Sequence, residues 1–212
     1  AMDKFRADPE EWITLRGQEI MEEATKKEKG AILVFGHIGN WELIPIIYEM
    51  LNIQGFAIAS PIGEAKLDGI LAKKRFSENV KMIPRGDKKA ARNILSAFRN
   101  NRVMLFALDQ DMNVQSHFVD FFGRKAATAK GAANLAMKFD APVMSCFGFR
   151  DEQGKHHYEI KLLSDGPYEK GMAEEIRLTQ SYTTAIETKI KAHPSQWVWF
   201  HRRWKTQPDE VE

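Results

Sequence analysis

Ala31-Ile32-Leu33-Val34-Phe35-Gly36-His37-Ile38-Gly39-Asn40-Trp41-Glu42 is the stretch that decides the architecture. Its first five residues are all apolar, and continuous apolarity of that kind marks a strand covered on both faces. Gly36 and Gly39 then flank His37 at a turn, and a carboxylate, Glu42, stands five positions beyond the histidine. Neutral imidazole is the usual general base near neutral pH, and a carboxylate on its other ring nitrogen fixes tautomer and orientation. The pattern therefore suits a histidine held by Glu42 that takes a proton from a hydroxyl. The plainer alternative is a turn histidine beside an exposed glutamate.

Working outward, residues 9–29 are charged, with Trp12, Leu15, Ile20 and Met21 as the few apolar contacts, and predict a helical lead-in stopped at Gly30. Beyond the motif, residues 43–51 predict a buried helix with Pro45 in its first turn. Short strands are expected at 56–59 and 80–83, with a helix carrying Lys73-Lys74-Arg75 between them, and Pro84-Arg85-Gly86 closes the second strand. Asp87 then caps a helix whose apolar stripe is Ala91, Ile94, Leu95 and Phe98. A buried strand over 103–108 ends in Asp109-Gln110-Asp111. After an irregular piece closing at Arg124 come a helix over 128–139 and a strand over 142–149. The turn Asp151-Glu152-Gln153-Gly154 makes that strand a hairpin with 158–163. A helix over 172–191 presents Met172, Ile176, Thr179, Thr183, Ile186 and Ile190 on one face, and an aromatic, basic tail follows. Alternation of this kind predicts an α/β fold over residues 1–212 as one domain: a mixed, mostly parallel sheet flanked by helices.

Composition narrows the function classes. With 212 residues, 43% hydrophobic and 28% charged, the chain is built to fold rather than to stay disordered. A net charge of +2 is too small to argue for a nucleic-acid partner. The single cysteine, Cys146, excludes an intrachain disulfide and a four-thiolate metal site, and its place inside an apolar strand suits an inert buried thiol. No apolar run approaches the ~18 residues of a membrane span, and the N-terminus has no apolar signal core. An alanine ahead of Met2 reads as an added residue, so the natural protein is expected to begin earlier.

In parallel sheets, sites gather at the carboxyl ends of strands. His37 to Glu42, Arg85, and Asp109 to Asp111 all take that position. Arg85 suits a phosphate, a carboxylate or a developing oxyanion, or is an ordinary surface arginine. Asp109 and Asp111 form the Asp-x-Asp pair that holds a divalent metal in many glycosyltransferases, or else serve strand-end capping. Trp197, Trp199 and Trp204, interleaved with Arg202, Arg203 and Lys205, suit either a lipid interface or a packed segment with a solvated basic end.

Taken together, these elements resemble one family. Gly36-His37-Ile38-Gly39-Asn40-Trp41-Glu42, Arg85, Leu108-Asp109-Gln110-Asp111, Phe121-Phe122-Gly123 with Thr128, and the tail from Gln196 to Lys205 occur in the order of the late lipid A biosynthesis acyltransferases. Those enzymes belong to the lysophospholipid-acyltransferase-like superfamily, with its glycerol-3-phosphate acyltransferase-like fold. The resemblance implies His37 and Glu42 as a catalytic dyad, and Asn40, Arg85, Asp109, Asp111 and Arg202 as substrate-binding residues. It implies no metal and no cofactor beyond an acyl carrier protein or coenzyme A thioester as donor. The acceptor would be a lipid A precursor or related glycolipid, met at the cytoplasmic face of the bacterial inner membrane in peripheral contact with anionic lipid and with no nucleic acid. Such enzymes usually carry an N-terminal membrane anchor; only about 30 residues precede the motif here, so this chain is expected to be soluble. Two rivals remain open: a metal-dependent glycosyltransferase using Asp109 and Asp111, and a non-catalytic peripheral membrane-binding module.

Overall fold

The computed structural model of the chain describes residues 2–59, 64, 66, 69, 77–84 and 88–208. The expected helix with Lys73-Lys74-Arg75, and the expected roles of Arg85 and Asp87, lie outside the described residues.

Among the described residues a seven-stranded sheet forms from β1 (Ile13–Arg16), β2 (Ala31–Phe35), β3 (Gly55–Ala59), β4 (Val80–Pro84), β5 (Val103–Ala107), β8 (Val143–Arg150) and β9 (His156–Ser164), in the order β1-β9-β8-β2-β5-β3-β4. Its middle is parallel: β2 pairs β5 and β8, and β3 pairs β5 and β4, all in the same direction. The β8–β9 hairpin is antiparallel, so β9 and its parallel partner β1 run the other way. The sheet is mixed and mostly parallel, as the alternating pattern predicts. In the register of the two central strands Phe35 sits opposite Ala107. The chain therefore leaves β2 and β5 at the same level.

Both faces of the sheet are covered, which is why β2 needs no polar residue. Ile32 and Val34 join one core with Phe56, Phe98 and Met104, under α5 (Ala90–Arg99), α6 (Gly131–Phe139) and α7 (Met172–Ala192). Ala31 and Leu33 join the other with Leu105, Cys146 and Tyr158, under α3 (Gln18–Lys26) and α4 (Ile44–Met50). Each fully buried Leu, Ile or Val favours this arrangement by roughly 1.5 to 3 kcal/mol over exposure. Cys146 is buried, and burial pushes its thiol up to about 12, in keeping with an inert side chain.

Three expectations are corrected. Residues 9–29 do not form one helix: α1 (Asp3–Ala7) precedes the short α2 (Pro9–Trp12), and β1 intervenes before α3. The reason is tertiary, since Ile13 is buried and β1 gains a full parallel ladder with β9. The piece closing at Arg124 is not irregular, and the helix does not start at Thr128. Instead β6 (Ser116–Phe121) and β7 (Arg124–Ala129) form an antiparallel hairpin turning at Phe122-Gly123, and the helix begins only at Gly131. In α7 the buried stripe is Leu178, Thr179, Tyr182, Thr183, Ile186 and Ile190, while Met172 and Ile176 are exposed because the first turns of that helix run past the core.

Candidate active site

The loop after β2 is shaped by what surrounds it. A Cβ at Gly36 would touch Asp109, 3.4 Å from its Cβ and Cγ. Gly39 has φ +61°, and a Cβ there would lie 2.7 Å from the Gly148 carbonyl oxygen. Gly39 therefore allows the loop to lie close against β8. It is also zipped to the tail: Gly39 N–H donates to Gln196 O (2.9 Å), Val198 N–H donates to His37 O (3.2 Å), and Ile38 bridges Trp197.

Asp109 leaves β5 level with His37, and the two meet. His37 Nδ1 lies 2.8 Å from Asp109 Oδ1, the His37 backbone N–H donates to Oδ2 at 2.8 Å, and Trp197 Nε1–H donates to Oδ2 at 2.8 Å. Asp109 is only 1% exposed. Burial alone would raise its pKa, but the hydrogen bonds from the His37 ring, from Trp197 and from the His37 backbone outweigh it and hold the carboxyl below its ordinary range. An ionised carboxylate only accepts, so Nδ1 carries a proton, and in the neutral ring Nε2 is the nitrogen with the free lone pair. Trp41 packs edge-on against the imidazole, ring centres 4.9 Å apart.

The expectation that Glu42 holds the ring is revised. The carboxylate on Nδ1 belongs to Asp109, 72 residues away in sequence. Glu42 follows Trp41 into a single 3-10 turn (Trp41–Leu43), and that turn carries it into the wall of a cavity of about 790 Å³. His37 lines the same cavity, with Phe35, Trp41, Ile44, Leu105, Phe106 and Leu108 among its apolar surfaces and Gln110, Gln115, Lys130 and Asn134 among its polar ones. Such a space suits a long apolar chain whose reactive end lies against the histidine. The backbone N–H groups of the glycine-flanked turn do not form an oxyanion hole as they stand: those of His37, Ile38 and Gly39 donate to Asp109, Gly36 O and Gln196 O.

Asp111 does different work from Asp109. Its oxygens accept from Thr206 N–H (2.8 Å) and Thr206 Oγ1–H (3.1 Å), and its own N–H donates to His201 Nε2 (3.0 Å). One aspartate is thus committed to the histidine and the other to the tail, which is not how a pair of metal-ligating carboxylates is presented.

Residues 5–206 match the profile of the family described as bacterial lipid A biosynthesis acyltransferase. The chain belongs to that family. Among curated relatives, the lipid A biosynthesis lauroyltransferase of Escherichia coli (strain K12) is 26% identical over 203 residues, covering 94% of this chain and 64% of that protein. A lipid A biosynthesis acyltransferase of Haemophilus influenzae is 28% identical over 200 residues, 91% of this chain and 59% of its own length. The phosphatidylinositol mannoside acyltransferase of Mycobacterium tuberculosis is 22% identical over 177 residues, 82% of this chain and 54% of its own. The chain thus spans less than two thirds of the length of these lipid A acyltransferases and their mycobacterial relative. Among the described residues, no helix is long and apolar enough to cross a membrane.

Against what the lipid A acyltransferase resemblance implies, His37, Glu42 and Asp109 gather at one site, while two of the expected substrate-binding residues stand elsewhere. Asn40 caps the 3-10 turn and its carbonyl accepts from the Tyr158 hydroxyl; its surface belongs to a separate, polar hollow with Lys4, Arg150 and Gln196. Arg202 is exposed, and the buried arginine is its neighbour Arg203, whose Nη1–H donates to Ala127 O at 2.6 Å and whose Nη2–H donates to the Thr128 hydroxyl. Burial lowers the Arg203 pKa to about 10. Arg203 fastens the tail to β7, so the Thr128 and tail elements of the sequence are one structural unit. The role of Trp197 as a donor to Asp109 has no signal in the sequence, since no spacing rule links residues 88 apart.

Proposed function

We propose that this chain is the catalytic part of an enzyme that moves a fatty acyl group from a thioester, on acyl carrier protein or coenzyme A, to a hydroxyl of a lipid A precursor or related glycolipid. The observation that carries the reading is His37, its ring fixed by a buried carboxylate and set in the wall of an apolar cavity of chain-binding size. Family membership supports the substrate class.

The steps follow from the tautomer. Nε2 takes the proton of the acceptor hydroxyl as its oxygen attacks the thioester carbonyl carbon. Asp109, ionised, accepts from Nδ1–H and stabilises the imidazolium formed. The tetrahedral intermediate then expels the thiolate, which takes the proton back from Nε2, leaving the ester, the free thiol and neutral His37. Glu42 and the polar side chains Gln110, Gln115, Lys130 and Asn134 line the same cavity, and the donors among them are the candidates to meet the oxyanion. No metal enters these steps, and the lipid acceptor places the reaction at a bacterial membrane surface.

The test is acyl transfer from a defined thioester to a lipid A precursor. His37→Ala is expected to lower turnover ~10²- to 10⁴-fold while remaining folded. A folded His37→Ala variant with parental turnover would sink the proposal. A requirement for added magnesium, with sugar-nucleotide rather than thioester turnover, would favour the glycosyltransferase rival.

A further inference from the structure

Single apolar side chains on a surface are common and need no explanation. Phe200 is different in degree, at 90% exposed, with Trp199 beside it at 55%. Neither belongs to a loose end. Val198 N–H is bonded to His37 O, and His201 Nε2 accepts from Asp111 N–H, so the tip between them is pinned on both sides to the loops that carry the base and its carboxylate. The Trp199 ring is fixed as well: its Nε1–H donates to Pro194 O at 2.6 Å and it packs edge-on against Trp197, 4.6 Å between centres. An indole whose N–H is already satisfied presents mainly apolar surface.

The charges along the tip's own segment have one sign. From Trp197 to Gln207 the chain carries Arg202, Arg203 and Lys205 and no carboxylate, and Arg202 and Lys205 are exposed. The cavity lining has exposed apolar surface too, since Ile58, Met82 and Val114 belong to it and are 38%, 40% and 40% exposed. Projecting aromatic rings with cations beside them match the boundary between lipid headgroups and acyl chains, where rings are buried and cations meet phosphates. A carrier protein of acidic surface would be matched by the cations and would gain little from Phe200.

We propose that the tip over 198–202 is a membrane-docking element. Trp199 and Phe200 enter the headgroup boundary of an anionic bilayer, and Arg202 and Lys205 lie against its phosphates. Docking there would set the cavity mouth against the surface from which a lipid acceptor comes, and only this purpose rests on the acyltransferase reading. The contact itself is independent of turnover.

Co-sedimentation of the 212-residue chain with vesicles tests it, using phosphatidylcholine alone and phosphatidylcholine with added phosphatidylglycerol. The parent chain is expected to bind the anionic vesicles, with tryptophan emission shifted to shorter wavelength and binding weakened by salt. Phe200→Ser should weaken binding about tenfold. Arg202→Gln and Lys205→Gln should each weaken it about fivefold, on anionic vesicles only. His37→Ala should bind as the parent does, which separates failure of docking from failure of the catalytic reading. Parental binding by a folded Phe200→Ser variant, or no vesicle binding by the parent, overturns the proposal. So does a parent dimer that Phe200→Ser dissociates, since the tip would then belong to a second copy of the chain.

Discussion

Three described histidines lie at hydrogen-bond distance from a carboxylate, and two of those pairs, at nearly the same distance, stand in contrast. After β2, His37 Nδ1 lies 2.8 Å from Asp109; at the turn of the β8–β9 hairpin, His157 Nε2 lies 2.7 Å from Asp151. Distance does not separate them; surroundings do. Asp109 is sealed, accepts three N–H groups and has its histidine in a cavity wall. Asp151 and His157 are both partly exposed, and Asp151 also receives the Lys155 backbone N–H as an ordinary turn does. A base becomes useful when its orienting partner cannot be replaced by water and when its free nitrogen meets a space for substrate.

Exchanging the two histidines' fates is the sharpest way to break this contrast. The loss of ~10²- to 10⁴-fold in turnover expected for His37→Ala should have no counterpart in His157→Ala, measured in the same thioester assay. Next in size is Asp109→Asn, expected to lower turnover ~10²-fold. Nitrogen-15 NMR should at the same time show the Nδ1–H tautomer of His37 losing population. Glu42→Gln is also expected to lower turnover, because it borders the cavity, but to leave the tautomer in place. A tautomer that follows Glu42 instead would restore the original dyad.

Stability offers smaller effects. Trp197→Phe removes a buried donor to a charged acceptor, worth about 2 kcal/mol, and should lower the thermal midpoint by ~4 to 8 °C. Asp151→Asn should leave the midpoint where it was. The smallest effect is the response to acid. The folded pKa of Asp109 is depressed, so its stabilisation is complete above the ordinary value of 3.8 and is lost as pH falls through the lower folded value. Unfolding followed between those two values should therefore depend less steeply on pH in Asp109→Asn than in the parent. The pKa of Asp151 is also lowered, mainly by the His157 hydrogen bond, but solvent screens that pair and its removal should change the slope little.

The parallel half of the fold could be read from residues alone, because Ala31 to Phe35 and Val103 to Ala107 are apolar throughout and bounded by polar or glycine-rich turns. β1 could not, since Ile13 and Leu15 sit in a charged run and become a strand only because β9 offers its edge. The hairpin of β6 and β7 was hidden for a similar reason: the alanine-rich run from 126 carries no strand signal until Val119 and Phe118 pair across from Ala126 and Ala127. At the site, His37 and Asp109 were each visible as strand-end residues. Their pairing was not, because it depends on the register that sets Phe35 opposite Ala107, and closeness in sequence pointed to Glu42. Nor could Arg203 be told from Arg202, since the tail has no regular period to say which of two neighbours turns inward.

The zippered contact between the tail and the loop after β2 also makes the site depend on a distant part of the sequence. Trp197 reaches Asp109 across 88 residues, so the third donor to that carboxylate is supplied by a segment far along the chain from the strand that carries it. A chain cut short before Pro194 would keep its sheet strands and His37, yet leave Asp109 with one N–H fewer and its loop without a backbone partner. The segment from Gln196 to Val198 therefore works as a splint, holding from outside both the loop that carries His37 and one oxygen of the carboxylate that orients it.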